Sequence, residues 1–107
     1  MLSTEGYLLR IFIGESDRYE KLPLYEWLVR RANEEGLAGA TVLRGLEGYG
    51  AHHRLHKASI LRLAGDLPII VEIVDAKDKI EQFTSTIEHA LGDGLVTLER
   101  VTIMRKG

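Results

Sequence analysis

Between Gly45 and His56 the chain reads Gly-Leu-Glu-Gly-Tyr-Gly-Ala-His-His-Arg-Leu-His, a stretch whose residue types answer to no packing need. Gly45, Gly48 and Gly50 allow positive φ and close approach of the backbone to a ligand, while His52, His53, Arg54 and His56 bring donors, charge and metal-ligating nitrogens. A polar, glycine-hinged loop of this length is long for so short a chain, and such loops tend to be functional or disordered. His52 and His56 stand four apart and would share a face if the loop were helical, so a metal site is one reading; no cysteine or regularly spaced carboxylate accompanies them. A solvated, mobile loop is the other.

A second candidate is Gly92-Asp93-Gly94. It could simply stop a helix, or its backbone N–H groups could converge on an anion as a phosphate nest without any lysine. Tyr49, set between two glycines, could stack on a base or plug a packing gap. Arg105 and Lys106 form a basic end that matters only if a neighbouring subunit's phosphate site lies within reach. Among the hydroxyls, Ser59, Ser85 and Thr86 have no nucleophile context.

The flanking segments must position these residues. Tyr7 to Ile13 reads as a strand with Leu9, Ile11 and Ile13 on one side and Leu8 and Phe12 flanking Arg10 on the other. Glu15 to Lys21 reads as a loop. Leu24, Trp27, Leu28 and Ala32 recur at helical spacing from Pro23 to Glu35, with Gly36 as the stop. Gly39 to Glu47 is the second strand, and Ile69 to Val74, after the turn Gly65-Asp66-Leu67-Pro68, is the third. Asp75 followed by Asp78 resembles a capping arrangement, after which Ala76, Ile80, Phe83, Ile87 and Leu91 line one helical face. Leu95 to Met104 closes the chain as a strand, with a bulge suggested near Glu99 and Arg100. The order strand, helix, strand, strand, helix, strand predicts an α+β ferredoxin-like βαββαβ sandwich, a four-stranded antiparallel sheet with two helices on one face. Three of the four strands carry apolar residues on both sides, so either the second sheet face, with Leu8, Phe12, Ile70 and Val74, needs a partner, or the sheet is half-solvated with scattered apolar residues. The charges Arg10, Glu72, Arg44 and Glu99 are expected there too.

At 107 residues the chain fits one domain, 1–107, and 45% hydrophobic with 28% charged residues is an ordinary globular composition. No apolar run approaches the ~20 residues of a membrane helix, so direct membrane insertion is not expected. The absence of cysteine and of a basic-then-apolar leader points to a cytoplasmic location. Fourteen basic against sixteen acidic residues, net −2, argue against a nucleic-acid partner.

These residues resemble the PII signalling proteins, and more closely a short PII-like family long catalogued as a domain of unknown function. Gly39-Ala40-Thr41-Val42 resembles the opening of the second PII strand, and Gly48-Tyr49-Gly50 the glycine-aromatic-glycine base of the flexible T-loop. Val71-Glu72-Ile73-Val74 resembles the third strand and Gly92-Asp93-Gly94 the B-loop. The likeness spans nearly the whole chain. It implies a homotrimeric regulatory protein, not an enzyme, that binds an adenine nucleotide between subunits and presents its T-loop to a partner protein such as a membrane transporter or an enzyme. By resemblance, Gly48, Tyr49 and Gly50 frame the nucleotide. Gly92, Asp93 and Gly94 meet phosphate, Gly39, Thr41, Glu72 and Arg105 complete the cleft, and His52, His53, Arg54 and His56 serve the partner. Leu95 stands where the family has a lysine, and Ala51 where it has an arginine, which implies AMP or ADP rather than ATP. No tyrosine between Ala51 and Leu63 matches the uridylylated one of PII.

Other classes remain in view. An acylphosphatase of the same fold needs an arginine-bearing phosphate loop and an asparagine on the second strand, but Arg18 is isolated and Asn33 falls on the first helix. An RNA-recognition module needs stacking aromatics that Ile69 to Val74 lacks. The rival that explains the histidines is a metal-sensing interaction protein using His52, His53 and His56.

Overall fold

The computed structural model describes residues 1–50, 55–57 (backbone alone at 56 and 57) and 66–107. Its longest elements follow from the alternation along two strands. In β1 (Leu2–Gly14) Leu9, Ile11 and Ile13 are buried, and in β7 (Pro68–Asp75) so are Ile69, Val71, Ile73 and Asp75. Because β1 and β7 pair antiparallel with Leu9 opposite Ile73 and Ile11 opposite Val71, both sets emerge on the same face. Two helices cover that face. Leu24, Leu28 and Ala32 of α1 (Leu24–Glu34) and Ile80, Phe83 and Ile87 of α2 (Lys77–Ile87) recur at helical steps and join the strand residues in one core.

Between them lie the short strands β2 (Arg18–Tyr19), β3 (Leu22–Pro23), β4 (Thr41–Arg44), β5 (Glu47–Gly48) and β6 (His56–Lys57), and the chain ends with β8 (Leu95–Arg105). The main sheet runs β4-β7-β1-β8, antiparallel throughout. This is the α+β, ferredoxin-like sandwich expected, with both helices on one face.

Several local expectations change. β1 begins at Leu2, because Leu2 to Gly6 pairs with β8 beyond the point where Tyr7 meets the last residue of β7. This exposed two-stranded ribbon contributes to a long axis of 46 Å. No bulge interrupts β8: its register runs unbroken from Leu95 opposite Phe12 to Arg105 opposite Leu2. The second strand divides into β4 and β5, since the chain bends at Gly45, whose N–H donates to the Pro68 carbonyl at 2.7 Å. Asp75 does not cap α2. Ala76 is the N-cap, and the buried Asp75 carboxylate accepts from the Ala76 N–H at 2.7 Å and the Ala38 N–H at 2.9 Å. Glu15 to Lys21 is more than a loop, because Arg18 and Tyr19 pair with Pro23 and Leu22 across a turn at Glu20 and Lys21.

The open face of the sheet carries Leu8, Phe12, Ile70 and Val74 around an ion-pair cluster. Arg10 Nε donates to Glu72 at 2.8 Å, and its Nη1 to Glu99 at 3.2 Å. The Glu72 hydrogen bond, opposed by partial desolvation, raises the Arg10 guanidinium above its ordinary value. Arg44 is not part of this cluster. It lies opposite Ile69, so it takes the helix side of the edge strand and pairs with Glu15.

Candidate functional site

The geometry of the main sheet brings four chain reversals to one end. Here β1 ends at Gly14, β7 begins at Pro68, β8 begins at Leu95, and the segment after β4 crosses Pro68. Between them opens a cleft of about 920 Å³, lined on its apolar side by Phe12, Ile13, Leu24, Ile69, Leu91 and Leu95. That volume lies in the range of small-molecule sites, ~300–1,000 Å³, and would hold a mononucleotide.

Two of the motifs singled out in the sequence meet here. Gly48, Tyr49 and Gly50 form one rim, and Gly92, Asp93 and Gly94 the other. The first rim is anchored by β5 and β6, where Glu47 pairs with Lys57 and Gly48 with His56. Gly45 and Gly48 serve close approach rather than unusual dihedrals. A Cβ at Gly45 would stand 2.9 Å from Pro68 Cγ and one at Gly48 would stand 3.1 Å from it, while neither residue has positive φ. Tyr49 is 66% exposed at this rim.

The second rim grows from the end of α2. A 3-10 turn at Glu88–Ala90 buries Ala90, and Gly92 then takes φ +56, the left-handed conformation that ends helices. The Gly94 N–H donates to the Leu91 carbonyl at 2.9 Å, and a Cβ at Gly94 would approach Ile13 Cγ2 and the Leu91 carbonyl at 3.0 Å. The turn therefore spends that donor on itself, so the expected nest cannot use all of its N–H groups on an anion.

Asp17 and Asp66 add a polar wall to the cleft. Asp17 Oδ2 accepts from the Gly14 N–H at 2.9 Å, and Asp66 Oδ1 accepts from Ser16 N–H at 3.1 Å and Ser16 Oγ at 2.7 Å. The Asp66 bonds tie the segment after β1 to the residues that lead into β7. Arg18 also lines the cleft, its Nη2 donating to the Lys21 carbonyl at 2.8 Å. Aspartates and an arginine in a polar segment carry no periodic signal; only the adjacency of Gly14 and Asp17 to the end of a strong strand hints at a wall.

The remaining predicted residues are not gathered in this cleft. Glu72 stands opposite Thr41 and four residues along β7 from Pro68, about 13 Å at strand rise. Gly39 precedes Thr41 in open space. Arg105 ends β8, opposite Leu2 and roughly 35 Å along the strand from Gly94. His52, His53 and Arg54 lie outside the described residues, as does the side chain of His56. Among the described residues no cluster of three or more histidine, aspartate or glutamate side chains is placed to hold a metal ion, and no helix is long and apolar enough to cross a membrane.

Residues 6–103 match the family DUF190, described as Uncharacterized ACR. A UPF0166 protein of Aquifex aeolicus (strain VF5) is 42% identical over 97 residues, 91% of each chain. One from Methanocaldococcus jannaschii is 30% identical over 92 residues, covering 85% of this chain and 84% of that one. In fold, the chain is similar to CPII, a nitrogen regulatory PII-like protein from Thiomonas intermedia K12 solved with ADP, AMP and bicarbonate. The TM-score is 0.75 at 14% identity, over 97% of this chain and 92% of that one. With a family match that spans the sandwich from Gly6 to Ile103 and a fold shared with the PII-like proteins, the chain belongs to the DUF190 family.

Proposed function

We propose that this chain is a PII-like regulatory protein, a homotrimer that binds AMP or ADP between subunits and presents its T-loop-like segment to a partner protein. The observation that carries the reading is the cleft: Gly48-Tyr49-Gly50 and Gly92-Asp93-Gly94, far apart in sequence, line one cavity of mononucleotide size. The similar CPII holds ADP and AMP, which supports the same ligand class for this fold.

A site between subunits would let a second copy supply those of Gly39, Thr41, Glu72 and Arg105 that take part, since on one chain they are not gathered in this cleft. Phe12 and Leu95 sit opposite each other in the β1–β8 ladder and also line the cleft, so the cavity adjoins the open sheet face. Covering that face with a second copy would bury Leu8, Phe12, Ile70 and Val74 at roughly 25 cal/mol per Å² of apolar area. In this reading the protein binds rather than turns over its ligand.

The test is a thermal-shift screen of the full chain with AMP, ADP, ATP, zinc and nickel, since a ligand that binds only the folded state raises its apparent stability. AMP or ADP should raise the melting temperature in a saturable way. A response to metal alone, lost when His52, His53 and His56 become alanine, would sink the nucleotide reading in favour of metal sensing.

A further inference from the structure

Resting on the nucleotide reading, we infer that Arg18 is the group that holds the ligand's phosphate. A phosphate in this cleft needs a cation, because the glycine turn has already spent the Gly94 N–H on the Leu91 carbonyl. Among the described residues Arg18 is the one basic side chain on the cleft lining. Its only hydrogen bond there is from Nη2 to the Lys21 carbonyl, which leaves most of its planar fork of donors for a ligand.

The arginine is also held in place before any ligand arrives. The Asp17 carbonyl accepts from the Leu24 N–H at 2.7 Å, and Arg18 itself pairs with Pro23 in the hairpin. Next to it, Tyr19 is wedged against Trp27 of α1, ring centroids 4.7 Å apart, and against His89, 5.4 Å away in the turn that leads to Gly92. The rings thus brace the backbone of the hairpin and the glycine turn against the same helix, and the Nη2 bond to the Lys21 carbonyl limits where the exposed guanidinium can reach.

The experiment is calorimetric titration of the full chain and of Arg18→Ala and Arg18→Lys with AMP and adenosine. Wild type should bind AMP more tightly than adenosine. Arg18→Ala should weaken AMP about ten- to a hundredfold, leave adenosine unchanged and so erase the difference between the two. Arg18→Lys should fall between, because it keeps the charge and loses the fork; it decides the matter if the alanine variant fails to fold. AMP binding to Arg18→Ala at wild-type strength overturns the role of Arg18 and leaves the nucleotide reading intact. Failure of wild type to bind either AMP or adenosine overturns both.

Discussion

Gly94 and Asp75 show how little room the positions around the cleft and helix layer leave for change. A Cβ at Gly94 would meet backbone, the Leu91 carbonyl at 3.0 Å and the Phe12 carbonyl at 3.3 Å, and backbone cannot step aside as a flexible side chain can. Gly94→Ala should destabilise the fold by about 1–3 kcal/mol, read as a lower urea midpoint at unchanged slope. Asp75 is 8% exposed and ties Ala38 to the start of α2 through two hydrogen bonds. Asp75→Ala leaves two N–H groups without that acceptor and should cost about 1–3 kcal/mol in the same assay. Nothing in the sequence distinguishes this structural carboxylate from a helix cap, because both roles put an aspartate just ahead of a helix. Only the approach of Ala38 from the end of α1 separates them.

At the scale of elements, the β2–β3 hairpin is the feature that periodicity could not reveal. Its turn residues Glu20 and Lys21 have φ 48 and 72 without a glycine or asparagine to announce the turn. Burial, then the neighbouring Glu20 carboxylate, raises the Tyr19 phenol above its ordinary value. Lys21→Gly should relieve the left-handed strain and raise stability by up to about 1 kcal/mol, with the Arg18 contact to the residue-21 carbonyl retained. A melting temperature lower than wild type would show that the turn is not strained. The strands and helices that build the core were legible, because Leu9, Ile11 and Ile13, or Ile80, Phe83 and Ile87, repeat at periods that only one element type satisfies. The ribbon formed by Leu2 to Gly6 was not, since it buries almost nothing and so has no apolar rhythm. The same limit applied to the cleft. Its glycine rims were visible as motifs, whereas Asp17, Arg18 and Asp66 became a wall only once β1 and β7 had been set side by side.

For the molecule as a whole, the proposed trimer turns the open sheet face into a buried one. Val74 is 38% exposed there and lies opposite Leu8, away from the cleft lining, so it separates assembly from ligand contact better than Phe12 does. Val74→Asp should leave the helix-side core intact and convert the trimer to folded monomers, a threefold fall in mass by light scattering coupled to size exclusion. The Arg10, Glu72 and Glu99 cluster in the middle of the same face would then be shielded by its own ion pairs, which keeps the burial of three charges from opposing assembly outright. Whether a mononucleotide sits between subunits is read by calorimetric titration of AMP into the assembled protein and into the Val74→Asp monomer. Saturable binding to the assembly, at least about tenfold weaker in the folded monomer, is the predicted result. Equal affinity in both, or no heat of binding in either, would contradict it.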